Sequence, residues 1–283
     1  MASMTSEVMD GRRATRQHPS MRATSDRAGA QPSSAGGLLQ RLRARRHVSQ
    51  LALSLRVGVS QRHLSCIETG RAGASREMLL ALLDALEAPL SERNDVLLAA
   101  GFAPAYGQRS LQQPDMAPVR EALGHLLAAH EPAPALVLDG AWNLVQANGG
   151  AGTLLRLLGV DPGALGPGSN LLRATFLPGG LREAFVNREE VCAAVWQRAE
   201  SEAAHLPALR AVIEELRPHA PRARGPASDA PMLLTRLRSA VGELRFFSAF
   251  TTFGTPFDVT IASLRVEHMF PADEATREAL AGV

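Results

Sequence analysis

Four neighbouring polar side chains have the hydrogen-bond donors and acceptors that the edges of DNA bases require. They are Gln61, Arg62, His63 and Ser65. An arginine guanidinium matches the two acceptors of guanine, and a glutamine amide matches the donor and acceptor of adenine. Helical spacing would place Leu64 and Ile67 inward and leave the four polar side chains facing out. The chemistry indicated is hydrogen bonding to a duplex, with Arg62 favouring guanine and Gln61 favouring adenine.

Two predicted helices position these side chains. Ser49 is suited to cap a helix from Gln50 to Val57, and Ser60 is suited to cap a second helix that begins at Gln61. Gly58 follows the last apolar position of the first helix, where a left-handed residue is needed. Two helices joined by a glycine turn form a helix-turn-helix, whose second helix enters the major groove of DNA.

Other residues of this region are suited to phosphate contacts. Residues 37–76 contain eight arginines and one glutamate, a local charge of +7, whereas the whole chain carries only +2. Such concentrated charge is typical of a surface that binds the DNA backbone. We expect five residues to contact the phosphates: Gln50, Ser60, Arg41, Arg45 and Arg71. The three arginines also supply positive charge. Binding of a twofold double-stranded operator predicts a homodimer.

Leu51 and Leu55 lie four residues apart on the predicted outer side of the first helix. Exposed leucines at this spacing indicate that the helix packs on something. One interpretation is a wider core stripe within the helical domain. The other is contact with a second domain or with a second subunit.

Composition divides the chain into four parts. Residues 1–35 are polar and without periodicity, which predicts a disordered tail, and 36–102 form the helix-turn-helix domain. Residues 103–118 are rich in Pro, Gln and Ala and indicate a linker, and 119–283 form a second domain. Two cysteines in different domains favour a reducing cytoplasm, and no apolar run is long enough to span a membrane.

The second domain has the pattern of an α+β fold. Asp139-Gly140 separates two short apolar runs and predicts a hairpin, which several amphipathic helical segments follow. Three later segments are rich in β-branched and aromatic residues, and we interpret them as strands: Met232–Arg238, Glu243–Phe253 and Thr260–Val266. This order predicts an antiparallel sheet with helices on one side.

Residues 49–106 resemble the repressor-type helix-turn-helix called XRE, and within it the subset that carries an MmyB-like ligand-binding domain. The similar motifs are RHLS, ETGRA, SRE, PLSERN and LLAAGFAP, and the later stretches TFGTPFDVT and LRVEHMFPADEATR are similar to the C-terminal segments of that subset. Cys66 and Ala74 depart from the usual residues at positions that affect packing. The resemblance implies a lambda-repressor-like five-helix domain, a PAS-like α+β domain, and a small ligand such as a fatty acid.

A PAS-like domain holds its ligand between sheet and helices, in a mostly apolar cavity with a few polar groups. Six residues are candidates for its wall: Trp142, Asn148, Phe176, Trp196, Phe246 and Phe250. For each aromatic residue the alternative is ordinary core packing. For Asn148 the alternative is a helix cap.

Neither catalysis nor a bound metal or cofactor is expected. The histidines lack the spacing of metal ligands, and the chain contains no nucleophile elbow, phosphate loop or dinucleotide fingerprint. The main hypothesis is therefore a ligand-responsive transcription regulator. Two alternatives stay open: a protein-binding adaptor, and a redox-responsive regulator acting through Cys66 on the recognition helix.

Overall fold

The structure, a computed structural model, describes residues 34–204, 206–221 and 231–282. The predicted disordered tail therefore lies outside the described residues, apart from Ser34 and Ala35. These two residues are already part of a helix start, because the Ser34 hydroxyl accepts a hydrogen bond from the Gly37 amide at 3.2 Å.

Five short helices form the N-terminal region, as the sequence predicts. They are α1 (Ala35–Arg45), α2 (Gln50–Val57), α3 (Gln61–Glu68), α4 (Arg76–Ala85) and α5 (Leu90–Ala99). Leucines from all five helices pack into one core that includes Leu39, Leu53, Leu64, Leu82 and Leu97, each fully buried. Burial of so many leucines is the main force that fixes the relative orientation of α2 and α3.

Five antiparallel strands form the sheet of the C-terminal region. They are β1 (Ala135–Leu138), β2 (Leu144–Ala147), β3 (Thr235–Ser239), β4 (Gly242–Thr252) and β5 (Arg265–Pro271), in the order β2-β1-β5-β4-β3. Together with the helices between β2 and β3, this arrangement confirms the predicted PAS-like α+β fold with an antiparallel sheet.

Helices cover both faces of the sheet, so the prediction of helices on one side was wrong. Helices α7 (Gly149–Leu157), α8 (Leu171–Phe176), α9 (Arg188–Ala203) and α10 (Pro207–Leu216) lie between β2 and β3 in the sequence. Leu138 of β1 packs in the core that α8, α9 and α10 share, whereas Ala135 and Val137 pack against α6 (Ala117–Ala128). Both faces of β1 are buried, and such a strand needs a layer on each side.

The predicted strand Thr260–Val266 was wrong over Thr260–Ser263, which are helical, while Arg265 and Val266 do lie in a strand. The Asp258 carboxylate accepts a hydrogen bond from the Thr260 amide at 2.8 Å and caps a short helix, α11 (Val259–Ser263). The strand β5 begins only at Arg265, and a last helix, α12 (Glu274–Ala281), follows it. A local cap therefore overrides the β propensity of Thr260 and Ile261.

The first part of the linker is held by hydrogen bonds from two sides. The Asn94 side chain of α5 accepts hydrogen bonds from the Ala105 and Tyr106 amides and donates one to the Tyr106 carbonyl. At the next residue, the Gly107 carbonyl accepts a hydrogen bond from the Val259 amide at 2.7 Å. The linker thus connects α5 with α11, directly before β5.

Candidate DNA-contact surface and ligand cavity

The turn between α2 and α3 has the geometry that the sequence predicts. Gly58 has a φ of 74°, in the left-handed region that a Cβ would disfavour. The Ser49 hydroxyl accepts a hydrogen bond from the Ala52 amide at 3.0 Å, and the Ser60 hydroxyl accepts one from the His63 amide at 3.1 Å. These caps fix where each helix begins, and thereby which side chains α3 presents.

Helix α3 exposes its N-terminal side chains. Gln61, Arg62 and His63 are exposed, and Ser65 is half-buried. Leu64 is fully buried in the helical core, so the helix cannot rotate without exposing it. The structure therefore leaves Gln61, Arg62 and His63 exposed at the start of α3, with Ser65 half-buried one turn later.

A buried ion pair beneath this surface was missed by the sequence analysis. The Arg43 guanidinium makes two hydrogen bonds to the Glu68 carboxylate, at 2.6 and 2.9 Å, and Glu68 is 3% exposed. The hydrogen bond with Glu68 raises the pKa of Arg43, against the opposing effect of burial. The pair connects α1 with α3, and loss of one partner from a buried pair costs about 3–5 kcal/mol.

Gln50 belongs to the same network, which bears on its predicted phosphate contact. Its amide donates a hydrogen bond to the Glu68 carboxylate at 2.7 Å, and its side chain is half-buried. An amide nitrogen has two hydrogens, so one remains for a phosphate.

The positive charge of this region is partly neutralised within the fold. Arg45 pairs with Glu92 at 2.6 Å, as Arg43 pairs with Glu68. Within the described part of the chain, no acidic side chain lies within ion-pair distance of Arg41, Arg62 or Arg71, and all three are exposed. Two of the eight arginines in residues 37–76 are therefore paired, and these three are among those whose charge remains available to an anionic partner.

Leu51 and Leu55 are 52% and 73% exposed, so the interpretation as a wider core stripe was wrong. They lie on the solvent side of α2, while Leu53 on its inner side is fully buried.

A cavity of about 620 Å³ lies between the sheet and helices α7, α8 and α9. Its wall is mostly aliphatic, with contributions from all five strands. Eight polar or charged side chains interrupt this wall: Gln146, Asn148, Ser169, Thr175, Arg198, Thr235, Ser248 and Glu267. A volume of this size, apolar with a few polar groups, is typical of a small-molecule site.

Three of the six predicted ligand residues line this cavity. They are Trp142, Asn148 and Phe250. Asn148 also caps α7, since its Oδ1 accepts hydrogen bonds from the Ala151 amide at 3.0 Å and the Ala135 amide at 2.9 Å.

The other three predicted residues lie in the core and not on the cavity wall. Phe176 and Trp196 pack edge to face with ring centroids 5.3 Å apart, and Phe246 is fully buried beside Leu237 and Leu244. For these three residues the structure shows ordinary core packing, the alternative stated for each aromatic residue in the sequence analysis.

Glu202 organises a polar cluster at one end of the cavity. Its carboxylate accepts hydrogen bonds from Arg198 Nε at 2.8 Å, Trp142 Nε1 at 2.8 Å and an Arg265 nitrogen at 2.9 Å. Burial alone would raise the pKa of Glu202, but the Arg198 hydrogen bond and the charge of Arg265 lower it overall. The spacing of Arg198 and Glu202, four residues apart on one helix, is the signal by which the sequence could have indicated this cluster.

Glu267 of β5 also faces the cavity. Burial raises its pKa, although the Ser248 hydrogen bond and the charges of Arg198 and Arg265 oppose this shift. Nothing in the local sequence LRVEHMF marks Glu267, because alternation predicts an inward side chain but not a cavity beside it.

Neither a metal-ligand cluster nor a helix able to span a membrane is found among the described residues. In residues 34–204, 206–221 and 231–282, no three His, Cys, Asp or Glu side chains are placed to hold a metal ion. None of the helices in the same ranges is long and apolar enough to cross a membrane.

A helix-turn-helix region followed by a cavity-bearing α+β domain defines a transcription regulator with a ligand-binding domain. Residues 119–282 match the family model of the MmyB-like transcription regulator ligand binding domain, and residues 34–96 match a helix-turn-helix domain. The first match covers more than half of the chain, so the protein belongs to the MmyB-like transcription regulators. The resemblance stated from the sequence is thereby confirmed.

Solved structures of other transcription regulators are similar to part of this chain. The clp gene regulator ClgR from C. glutamicum is 33% identical over 25% of this chain and 87% of its own, with a TM-score of 0.22. An HTH_3 family transcriptional regulator from Vibrio cholerae is 30% identical over 30% of this chain and 44% of its own, also with a TM-score of 0.22. No curated protein matches the chain.

Proposed function

We propose that this transcription regulator binds a specific operator through α3 and senses a fatty acid or a related acyl compound in its C-terminal cavity. The observation that carries the proposal is the combination, in one chain, of an exposed α3 N-terminus with a largely apolar cavity of about 620 Å³. The first suits base contacts, and the second suits an elongated apolar ligand.

In the DNA complex, Gln61, Arg62, His63 and Ser65 contact base edges in the major groove. The phosphates are contacted by a second set of residues: Ser60 at the start of α3, the remaining amide hydrogen of Gln50, and Arg41, Arg45 and Arg71. Two copies of the chain bind the two halves of a twofold operator, since one short helix contacts too few bases for a long site. Arg45 contributes less charge than Arg41 because Glu92 already pairs with it.

In the ligand complex, the acyl chain lies against the aliphatic wall formed by the sheet and α7. Trp142, Asn148 and Phe250 stay in the proposed ligand site because they line the cavity. Phe176, Trp196 and Phe246 support this site from the core behind it.

Mass spectrometry of freshly purified full-length protein tests the ligand half of the proposal. Under native conditions we expect an additional mass that is lost on denaturation and identified as an acyl compound. Protein stripped of this mass should recover it when the identified compound is added. An additional mass of a different chemical class, or no uptake of any acyl compound by stripped protein, would contradict the proposed ligand.

A further inference from the structure

The contact between the helix-turn-helix region and the C-terminal domain is narrow. Among the described elements, the most extensive contact across this boundary is that of α5 with α11. The buried cores of the two regions are separate clusters. A cleft of about 460 Å³ lies beside the contact, and Leu98 of α5, which lines the cleft, is 55% exposed. Hydrogen bonds are therefore more important here than a shared apolar core.

Residues 105–109, here called the strap, receive these hydrogen bonds from both sides of the boundary. The Asn94 side chain of α5 makes three hydrogen bonds to the backbone of the first two strap residues, at 2.8, 3.0 and 3.1 Å. From the other side, the first amide of α11 donates to the Gly107 carbonyl at 2.7 Å. The Arg109 amide donates to the Asp258 carboxylate at 3.3 Å. The strap thus joins α5 to α11.

Asp258 fixes both the strap and the start of α11. One of its carboxylate oxygens accepts the Thr260 amide at 2.8 Å and caps the helix, and the other accepts the Arg109 amide. Asp258 is 3% exposed, and a Cβ on Gly107 would lie only 2.8 Å from its Oδ2 atom. A shift of α11 therefore moves the strap with it.

Helix α11 is a weakly determined element. It has only five residues, and the first three, Val259, Thr260 and Ile261, are β-branched and favour strands. A helix of this length depends on its surroundings for stability, because few of its hydrogen bonds lie within the helix. Its conformation therefore responds to what its two ends contact, which are the strap and β5.

The strand that follows α11 forms part of the cavity wall. Arg265, the first residue of β5, and Trp142 both donate hydrogen bonds to the Glu202 carboxylate, and Trp142 lines the cavity. The Trp142 backbone has a φ of 67°, a strained conformation for a bulky residue that persists only where the surroundings enforce it. Glu267 and Met269 of β5 line the cavity as well. An occupant of the cavity thus lies against the strand that α11 precedes.

We propose that α11 and the strap couple occupancy of the cavity to the position of α5, with Asp258 and Asn94 as positioning residues. The inference rests on the function proposed above and concerns how its two halves communicate. An occupant that binds better to one arrangement of Trp142 and β5 favours one position of α11, and the strap transmits this preference to α5.

The coupling acts on the whole helical domain. Leu97 of α5 and Leu64 of α3 are buried in the same core, so α3 moves together with α5 and keeps its own conformation. In a dimer, the occupant therefore changes the spacing of the two α3 helices. The base contacts of each single α3 stay the same.

Operator binding with and without tetradecanoic acid tests this coupling in the full-length protein. Fluorescence anisotropy measures affinity for a twofold operator selected from a randomised library and for a duplex with one half-site, and calorimetry measures uptake of the acid. We expect saturating acid to change the affinity for the twofold operator by about fivefold or more. The affinity for the single half-site should not change.

Two variants interrupt the strap outside both proposed binding sites. Asp258→Asn retains an oxygen that caps α11 but replaces the acceptor of the Arg109 amide with an N–H donor, and Asn94→Ala removes the three bonds from α5. We expect both variants to bind the acid and the half-site as the native protein does, while the effect of the acid on the operator falls below about twofold. Asp273→Asn, which alters the cap of α12, is the matched control and should keep the effect.

Asn94 is half-buried on α5, so Asn94→Ala provides the test even if Asp258→Asn does not fold. Equal operator affinities with and without bound acid would overturn the coupling while leaving the proposed ligand and DNA contacts intact. Retention of the effect in a folded strap variant, or an equal effect on the single half-site, would overturn it too. A protein that takes up no acid would contradict the proposed ligand, and this inference with it.

Discussion

Arg62 and Arg41 carry the same charge but differ in what we expect them to contact. Arg62 is exposed in the first turn of α3, whereas Arg41 is exposed on α1. We predict that Arg62→Ala costs about 1–3 kcal/mol of operator binding and relaxes base preference at one position of each half-site. Arg41→Ala should weaken binding to all duplexes by a similar factor. Fluorescence anisotropy with the operator and with single-base variants measures both effects.

The two arginine variants act as controls for each other, because each removes one exposed guanidinium from the same domain. If Arg62→Ala changed neither affinity nor base preference, the assignment of Arg62 to the bases would be wrong. If Arg41→Ala altered the preference at a single base pair, its assignment to phosphate would be wrong.

Glu267 gives the free energy of unfolding a pH dependence of defined sign. Its pKa is raised in the folded protein by burial, so between the ordinary value and the raised one the native state holds more protons than the unfolded state. Stability should therefore fall as pH rises above the ordinary carboxyl pKa. We predict that Glu267→Gln removes this part of the decline, measured by urea unfolding at several pH values. An unchanged pH profile in the variant would show that Glu267 ionises freely in the fold.

At the scale of residues, the sequence predicted exposure well and cavity lining only in part. The outward positions of Gln61, Arg62 and His63 follow from helical period and two serine caps, which are local features. Whether an aromatic residue lines a cavity or fills the core depends on distant elements. Phe176 and Phe250 have similar local sequence signals, yet only Phe250 lines the cavity.

Two of the three glycines in helix α7 differ in the space available for an added methyl group. A Cβ on Gly150 would lie 2.3 Å from the Pro132 carbonyl oxygen and 2.5 Å from that of Ala133, whereas a Cβ on Gly152 would meet Arg156 at 3.7 Å. We predict that Gly150→Ala destabilises the protein by about 1–3 kcal/mol through overpacking. Gly152→Ala should be neutral or stabilising by up to about 1 kcal/mol, since alanine favours the helix.

Urea unfolding of the two alanine variants side by side makes this test, with Gly152→Ala as the matched control. Equal stabilities would mean that α7 does not approach the segment before β1 as closely as the structure shows. Circular dichroism of both variants checks that the helical content is retained.

Most elements were predictable because their boundaries are set locally. The ends of α2 follow from Ser49 and Gly58, and β1 ends at Leu138, directly before the Asp139-Gly140 pair that predicted a hairpin. Elements whose conformation depends on competition between a local helix cap and β propensity were not predictable. The segment from Thr260 has strand-forming residues, but the Asp258 cap and the buried Leu264 divide it into α11 and the start of β5.

For the whole molecule, the charge available to DNA is smaller than the sequence suggests. Ion pairs with Glu68 and Glu92 engage Arg43 and Arg45, two of the eight arginines in residues 37–76, whereas Arg41 and Arg71 have no acidic partner in the described residues. If each of two copies contacts phosphates through Arg41 and Arg71, the slope of log affinity against log salt should be about −4.

Binding titrations at several salt concentrations measure this slope, and Arg41→Ala in both copies should reduce its magnitude by about 2. A slope near zero would favour the protein-binding adaptor, because counterion release from phosphates is a property of nucleic-acid binding.

The most direct test of the central claim is selection of duplexes from a randomised library by the full-length protein, followed by sequencing. The account predicts enrichment of a twofold-symmetric site with half-sites about 10–10.5 base pairs apart, and a changed base preference in each half-site when Arg62→Ala is used. Recovery of the starting library without enrichment would contradict sequence-specific binding by α3, whatever the cavity holds.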